Sequence, residues 1–370
     1  MKNQSFHLEL QFDPKQSVNA DGKHVRDGLS TVLRTGDYLW VSCDERTSLE
    51  RLKKTGENTF AEHTHFDLSE YLDLPDGKNS EVDIEGLGES GGYLWIVGSH
   101  SLKRKKPRKE ESFKKQIKRL AKVSSDPNRY ILARIPLTKD QDGVFSLCKE
   151  CPDPNTPGEM LRAAQLKGDK DSNQLMDAIQ DDPHIKDFLK IPGKDNGFDI
   201  EGLAMHENRV FVGLRGPVVR GWAMVLELKL EETKDEGVLQ LATFKETGKP
   251  YKKHFIHASG KGVRELRIQN NDLYILAGPT MDLDGVIAVY RWPDAMLHTT
   301  GEEQIVHRKD LEHLFDVPHG SGETTGRDKA EGLAIFDENH LLVVFDSPTD
   351  ARKVGEDNVV ADVFSVAKVK

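Results

Sequence analysis

The chain has 370 residues, a formal net charge of -10 and 36% hydrophobic residues. Such acidity gives no global attraction to nucleic acid or to an anionic membrane, so any basic site must be local. No run of about 18 apolar residues offers a membrane-spanning helix, the start of the chain has no apolar leader core, and three cysteines are too few for a disulfide framework, which points to a reducing cytoplasm.

In chain order, His7 to Phe12 alternates as an edge strand would. Ser30 to Asp44 then forms a unit whose Tyr38-Leu39-Trp40-Val41 matches Tyr93-Leu94-Trp95-Ile96 in the next unit, Glu85 to Ser99. That second unit opens on Glu85-Gly86-Leu87, and the tripeptide returns at Glu201-Gly202-Leu203 and Glu331-Gly332-Leu333 to open Glu201 to Gly216 and Glu331 to Ser347. Arg264 to Gly278 lacks the tripeptide, yet its second apolar run, continuing to Pro279, matches Val210 to Pro217 with one residue fewer. Five copies of one pattern are visible, which is the signature of a repeat architecture.

Most copies continue with alternating or β-branched runs that read as outer strands: Tyr130 to Leu137 and Val144 to Cys148, Ala223 to Leu228 and Leu239 to Phe244, Val286 to Trp292 and Glu303 to His307. Four strands per unit predict an all-β fold, a β-propeller of five blades occupying residues 1–370 as one domain. The last copy has three clear strands, ending with Val360 to Val369, and His7 to Phe12 is expected to supply its fourth and close the ring. From Glu85 to Glu201 the spacing is 116 residues, against 55, 63 and 67 elsewhere. The surplus has helical spacing over Glu110 to Val123, Gly158 to Leu166 and Asn173 to Leu189, which predicts helical insertions at 102–127 and 152–196 on one face. Six blades is the alternative.

In a propeller the starts of the inner strands share a rim with the loops that join second to third strands. Glu85, Glu201 and Glu331 are therefore expected to converge with Asp44-Glu45-Arg46, Ser99-His100-Ser101, Arg215-Gly216-Pro217, Asp282-Leu283-Asp284-Gly285 and Asp346-Ser347-Pro348 on one polar pocket. Three glutamates can hold a hard divalent cation, calcium or magnesium, which would polarise an ester or phosphoryl oxygen or activate water. Glu201 is a candidate catalytic group in that scheme, and His100 is the histidine placed to move a proton. Arg215 and Arg264 would clamp an anion, with Ser99 and Asp346 as further ligand-binding candidates. The competing reading starts from Ser30 and Arg264, which take the glutamate's place in two units: a cation in the ring makes it a set of structural ion pairs. The Gly-Leu part of the tripeptide reads as packing near the axis.

Lys103 to Lys122 holds eleven Lys or Arg against two Glu, a local charge of +9 that leaves about -19 on the remainder. It follows the rim loop and is expected to act as a lid or funnel that draws a small anionic, phosphorylated ligand, or to hold an acidic protein partner. A plain solvated basic helix is the third reading. Only Phe113 interleaves with the charges, which argues against nucleic acid. Cys148-Lys149-Glu150-Cys151 is one CxxC without a second pair, a weak zinc signal. Asp282-Leu283-Asp284-Gly285 lacks the rest of a calcium-loop series and reads as a turn.

The stretches Asp83-Ile84-Glu85-Gly86-Leu87, Gly98-Ser99-His100-Ser101, Asp199-Ile200-Glu201-Gly202-Leu203-Ala204, Leu214-Arg215-Gly216-Pro217 and Ala330-Glu331-Gly332-Leu333-Ala334 resemble the bacterial family catalogued as domain of unknown function 3616. That resemblance covers most of the chain and implies a propeller without an established activity. More distantly, the repeated opening is similar to the esterase-like domain associated with phytases and to lactonase propellers that hold a divalent cation on the axis. These relatives imply a metal-dependent ester or phosphoester hydrolase, from which Ser30 and Arg264 depart.

Overall fold

The computed structural model describes residues 5–19, 22–43, 46–77 and 80–366. Its chain runs as successive antiparallel meanders. The first joins Leu29–Thr35, Tyr38–Cys43, Ser48–Lys54 and Thr59–Asp67. Next come Ile84–Ser90, Tyr93–Gly98 and Leu132–Lys139, the last edged by Phe145–Leu147 at one end and Ala164–Leu166 at the other. A third comprises Asp199–His206, Arg209–Gly216, Ala223–Glu232 and Tyr251–Ile256, and a fourth Gly262–Gln269, Asp272–Gly278, Ile287–Trp292 and Glu312–Val317. The last contains Lys329–Asp337, His340–Asp346 and Asn358–Ser365.

The N-terminal strand Ser5–Leu10 completes this last meander, pairing antiparallel from Ser5 opposite Phe364 to Leu10 opposite Val359. Its other edge pairs parallel with the first meander at Glu9 and Thr59, so the two ends of the chain join one continuous sheet. Similar parallel bridges connect Ala164–Leu166 to Val238–Leu241 and Tyr251–Ile256 to Ile305–Val306, covering edges that would otherwise present open backbone groups.

The first strands of the meanders touch one another in chain order, and the first strand of the last meander returns to Leu29–Thr35. The fold is thus all-β and propeller-like, with curled sheets around an axis lined by first strands. Its apolar cores lie between neighbouring meanders. Leu87 is buried between the first and second, Leu203 between the second and third, and Leu333 between the fourth and last. The glycines of the tripeptide permit this crowding. A Cβ on Gly86 would stand 2.6 Å from the Leu203 backbone nitrogen, and one on Gly332 would stand 3.0 Å from Thr31 Cα.

Several expected elements fall elsewhere. The outer strand of the third meander is Tyr251–Ile256, not Leu239 to Phe244, and that of the fourth is Glu312–Val317, not Glu303 to His307. In each case the earlier apolar run supplies a bridge to a neighbouring meander, a role that alternation alone does not distinguish from an outer strand. Gly158 to Leu166 contains two short strands, Met160–Arg162 and Ala164–Leu166, because its apolar residues meet sheet edges. Helix does form at Phe113–Ala121 and at Gln174–Ile179, the second capped by the Asn173 side chain accepting from the Met176 nitrogen at 3.0 Å. Asp44, Glu45 and the end of the predicted last strand at 367–369 lie outside the described residues. Among the described residues no helix is long and apolar enough to cross a membrane.

Candidate functional site

Every first strand carries a β-bulge near its start. Register shifts fall between Leu29 and Thr31, Ile84 and Gly86, Ile200 and Leu203, Val263 and Glu265, and Ala330 and Gly332. The residues left out of the ladder are Ser30, Glu85, Glu201 with Gly202, Arg264 and Glu331. A bulge frees one residue from pairing and re-aims its side chain. The glutamate of the tripeptide and its replacements Ser30 and Arg264 therefore share one structural position around the axis.

Glu201 sits between two guanidinium groups. Arg215, from the end of Arg209–Gly216, pairs with both Glu201 and Asp199, while Arg264 Nη1 lies 2.7 Å from Glu331 Oε1 and 3.9 Å from Glu201 Oε2. Burial pushes Glu201 up to about 8; Arg215 and Arg264 oppose that rise, and the nearby Glu331 and Asp199 reinforce it. Asp199 is likewise raised, chiefly by burial. Burial works against the charge of Arg215, but Asp199 and Glu201 more than offset it, so its pKa lies above the ordinary arginine value. Glu201 Oε2 is buried and accepts no hydrogen bond from the described residues.

A second charged group adjoins the first. Arg129 Nη1 lies 3.0 Å from Asp83 Oδ2 and its Nη2 lies 3.3 Å from Glu81 Oε2. For Asp83, burial favours the neutral acid, yet Arg129 and the Ser99 hydroxyl outweigh it and the pKa falls below the usual range.

Above these groups runs the basic segment. Lys103–Arg104 pairs with Val123–Ser124, and the loop and helix Phe113–Ala121 lie between those strands. The segment is fastened at its base: the Gly193 nitrogen donates to the Leu102 carbonyl at 3.0 Å, Lys103 pairs with Asp126 and Glu81, and Arg104 Nε lies 2.7 Å from Asp195. Lys106 Nζ lies 3.5 Å from Asp282, whose other oxygen meets Lys329 at 3.1 Å. Together floor and wall enclose a cavity of about 730 Å³, with Glu85, Glu201, Glu331 and Arg215 at its base and Lys103 to Pro107 and Lys194 along its side.

Glu85, Glu201, Glu331 and Arg215 thus meet as expected, with Arg264 beside them. His100 does not join them. It is in the predicted loop, at φ 54°, but its ring is buried. Nδ1 donates to the Gly98 carbonyl at 2.7 Å, so Nε2 accepts from Asn173 Nδ2, also at 2.7 Å. Burial lowers its pKa to about 4, and the neutral ring braces the loop rather than facing the cavity. Ser99 is fully buried behind Asp83, and its hydroxyl accepts from Ser101 at 3.1 Å. Asp346 lies outside the cavity lining; burial raises it to about 6, with Glu331 adding to the effect.

Sequence reasoning missed Asp83, Asp199 and Arg129 as site residues. The aspartates carried a signal: each stands two residues before a tripeptide glutamate, in Asp83-Ile84-Glu85 and Asp199-Ile200-Glu201. Arg129 carried none, since it comes from a short turn after the basic insertion.

A divalent cation does not fit these residues as they stand. Arg215 and Arg264 take one oxygen each of Glu201 and Glu331, and their like charge would repel such an ion. Among the described residues no group of three or more His, Cys, Asp or Glu side chains is arranged to hold a metal, and Cys148 and Cys151 are free thiols.

Among solved structures, the fold is similar to virginiamycin B lyase from Staphylococcus aureus at 10% identity and a TM-score of 0.36, over 98% of this chain and 100% of that one. It is similar to an aldose sugar dehydrogenase from Streptomyces coelicolor at 12% identity and a TM-score of 0.37, over 98% of each chain. A GH43 β-1,3-galactosidase gives 11% identity and a TM-score of 0.40 over 90% of each chain. At these levels no activity transfers from any of them. No curated protein matches the sequence. The family model for Protein of unknown function (DUF3616) matches residues 28–362, and the chain belongs to that family.

Proposed function

We propose that the protein is a cytoplasmic five-bladed propeller, each meander being one blade, and that its axial cavity binds a small anionic, phosphorylated ligand. One observation carries the reading. Part of the most basic segment of an acidic chain, Lys103 to Pro107 with Leu120, lines the cavity over Glu85, Glu201 and Glu331, rather than lying on a remote surface. Basic groups gathered on one side of a recess favour anions there, even beside the Glu81, Asp195 and Asp282 carboxylates that pair with Lys103, Arg104 and Lys106. If the bound compound is also turned over, Glu201 is the group able to hold and release a proton at the floor near neutral pH.

Thermal melting with inorganic pyrophosphate at low ionic strength tests the reading. A ligand at one hundred times its dissociation constant adds about 2.7 kcal/mol of stability. The melting temperature is expected to rise for the intact chain and to stay flat when 103–122 is replaced by a short Gly-Ser linker. No rise in the intact chain at millimolar pyrophosphate would reject the proposal.

One observation favours a second reading, a docking role for an acidic partner. Helix Phe113–Ala121 buries none of its residues and leaves Phe113, Ile117 and Leu120 exposed on one stripe beside its lysines. Binding of an acidic amphipathic peptide that is lost in Phe113→Asp, with pyrophosphate inert, would select it.

A further inference from the structure

The cavity is polarised along its depth. Its floor is buried to half-buried and rich in carboxylates: Asp199 and Glu201 share Arg215, Glu331 takes Arg264, and Glu85 adds a further acid. Its wall is half-buried to exposed and carries Lys103, Arg104, Lys105, Lys106 and Lys194, with Glu81, Asp195 and Asp282 paired to Lys103, Arg104 and Lys106. A phosphate pushed to the floor would face those carboxylates, whereas at the wall it meets ammonium and guanidinium groups. Whatever reaches the floor must therefore offer hydrogen-bond donors to acidic oxygens.

Glu201 supplies the independent sign that something is received there. Its side chain is 4% exposed, it lines the cavity, and its Oε2 accepts no hydrogen bond from the described residues. A buried polar atom left without a hydrogen bond is costly unless a ligand or water completes it. Among the described residues the lining contains no aromatic side chain, so a nucleobase would find no face there on which to stack.

From this polarity we infer that the ligand is a sugar or polyol phosphate bound in one direction, its phosphate on the Lys103 to Lys106 wall and its hydroxyls on Glu85, Glu201 and Glu331. The inference rests on the anionic-ligand reading above. Hydroxyls suit this floor because each can donate to a carboxylate oxygen such as Glu201 Oε2 and, where Glu201 carries a proton, accept from it. An ammonium head would also satisfy the acidic excess, so the test separates the two.

Calorimetry on the full chain would compare inorganic phosphate, glucose 6-phosphate, phosphoethanolamine, adenosine monophosphate and glucose. Glucose 6-phosphate is expected to bind at least tenfold more tightly than phosphate, phosphoethanolamine or the nucleotide, and glucose far more weakly. Glu201→Ala should erase that tenfold advantage and leave phosphate affinity unchanged. Should that variant fail to fold, Glu85→Gln, at a half-buried position, should reduce the advantage severalfold. Equal binding of phosphate and glucose 6-phosphate would overturn this inference and leave the anionic-ligand reading intact. Tighter binding of phosphoethanolamine or the nucleotide would also overturn it, and silence with every phosphate compound would remove both.

Discussion

Both carboxylate oxygens of Glu265 meet the guanidinium of Arg267 at 2.9 Å, one on each terminal nitrogen, in the wall of first strands around the axis. Glu265 stands where the tripeptide units have glycine. It also accepts from the Leu203 nitrogen at 3.2 Å and the Leu266 nitrogen at 3.0 Å, while Arg267 donates to the Val32 carbonyl at 2.6 Å and the Leu203 carbonyl at 2.9 Å. One ion pair thus ties together first strands of three meanders and satisfies backbone groups that the bulges release.

Removing one member of this pair strands a buried charge. Arg267→Met is expected to cost about 3–5 kcal/mol in urea unfolding, because Glu265 is fully buried. A loss below about 1 kcal/mol, the scale of an exposed pair, would show that the pair does not brace the axis.

Gly86→Ala places a methyl group 2.6 Å from both the backbone nitrogen and the Cβ of Leu203. Overpacking of that kind costs about 1–3 kcal/mol. Gly301→Ala is the control, since a Cβ there meets nothing within 4 Å. The midpoint of urea unfolding should fall for the first and hold for the second.

Acid should unfold the protein partly through Glu50. Burial alone would raise this carboxyl, but His63 Nε2 at 2.7 Å and His65 Nδ1 at 3.0 Å hold it at about 2, below its usual 4.5. A depressed carboxyl stabilises the fold fully above its unfolded pKa and loses that contribution as pH falls towards 2. Glu50→Gln should therefore be less stable than the native chain at pH 6, with the difference shrinking between pH 4.5 and 2. A constant difference across that window would contradict the assignment.

Glu201 has the opposite sign. Its folded pKa of about 8 exceeds the ordinary 4.5, so the native state keeps a proton that the unfolded chain releases, and stability falls as pH rises across that interval. Glu265, raised to about 7 by burial, contributes in the same direction. Glu201→Gln should flatten the decline in melting temperature between pH 5 and 8, leaving the Glu265 part. An unchanged slope would place Glu201 in its ordinary ionised state.

Much of this arrangement was legible because a repeat constrains residues far apart in sequence. Aligning Ser30, Glu85, Glu201, Arg264 and Glu331 identified the positions that the bulges occupy, and the lone alternating run at the N-terminus anticipated the closing strand Ser5–Leu10. Features with no counterpart in the repeat stayed hidden. Tyr251–Ile256 was missed as an outer strand because Lys252, Lys253 and His254 interrupt its apolar residues, whereas Val238–Leu241 lies in an apolar run and only packing decides which edge each meets. His100 looked like an exposed loop histidine because nothing nearby in sequence announces that Asn173 closes over its ring. The Glu265–Arg267 pair was missed for the opposite reason: it departs from the tripeptide, and attention to the recurring glycine passed over the unit that replaces it.

The central claim is that the axial cavity receives an oxyanion along its basic wall. A crystal soaked with tungstate, a phosphate mimic with a strong anomalous signal, tests it most directly. The account predicts an anomalous peak inside the cavity, within contact of the Lys103 to Lys106 wall or Lys194 and away from Glu85 and Glu331. An empty cavity with tungstate bound only on the outer face of helix Phe113–Ala121 would contradict it.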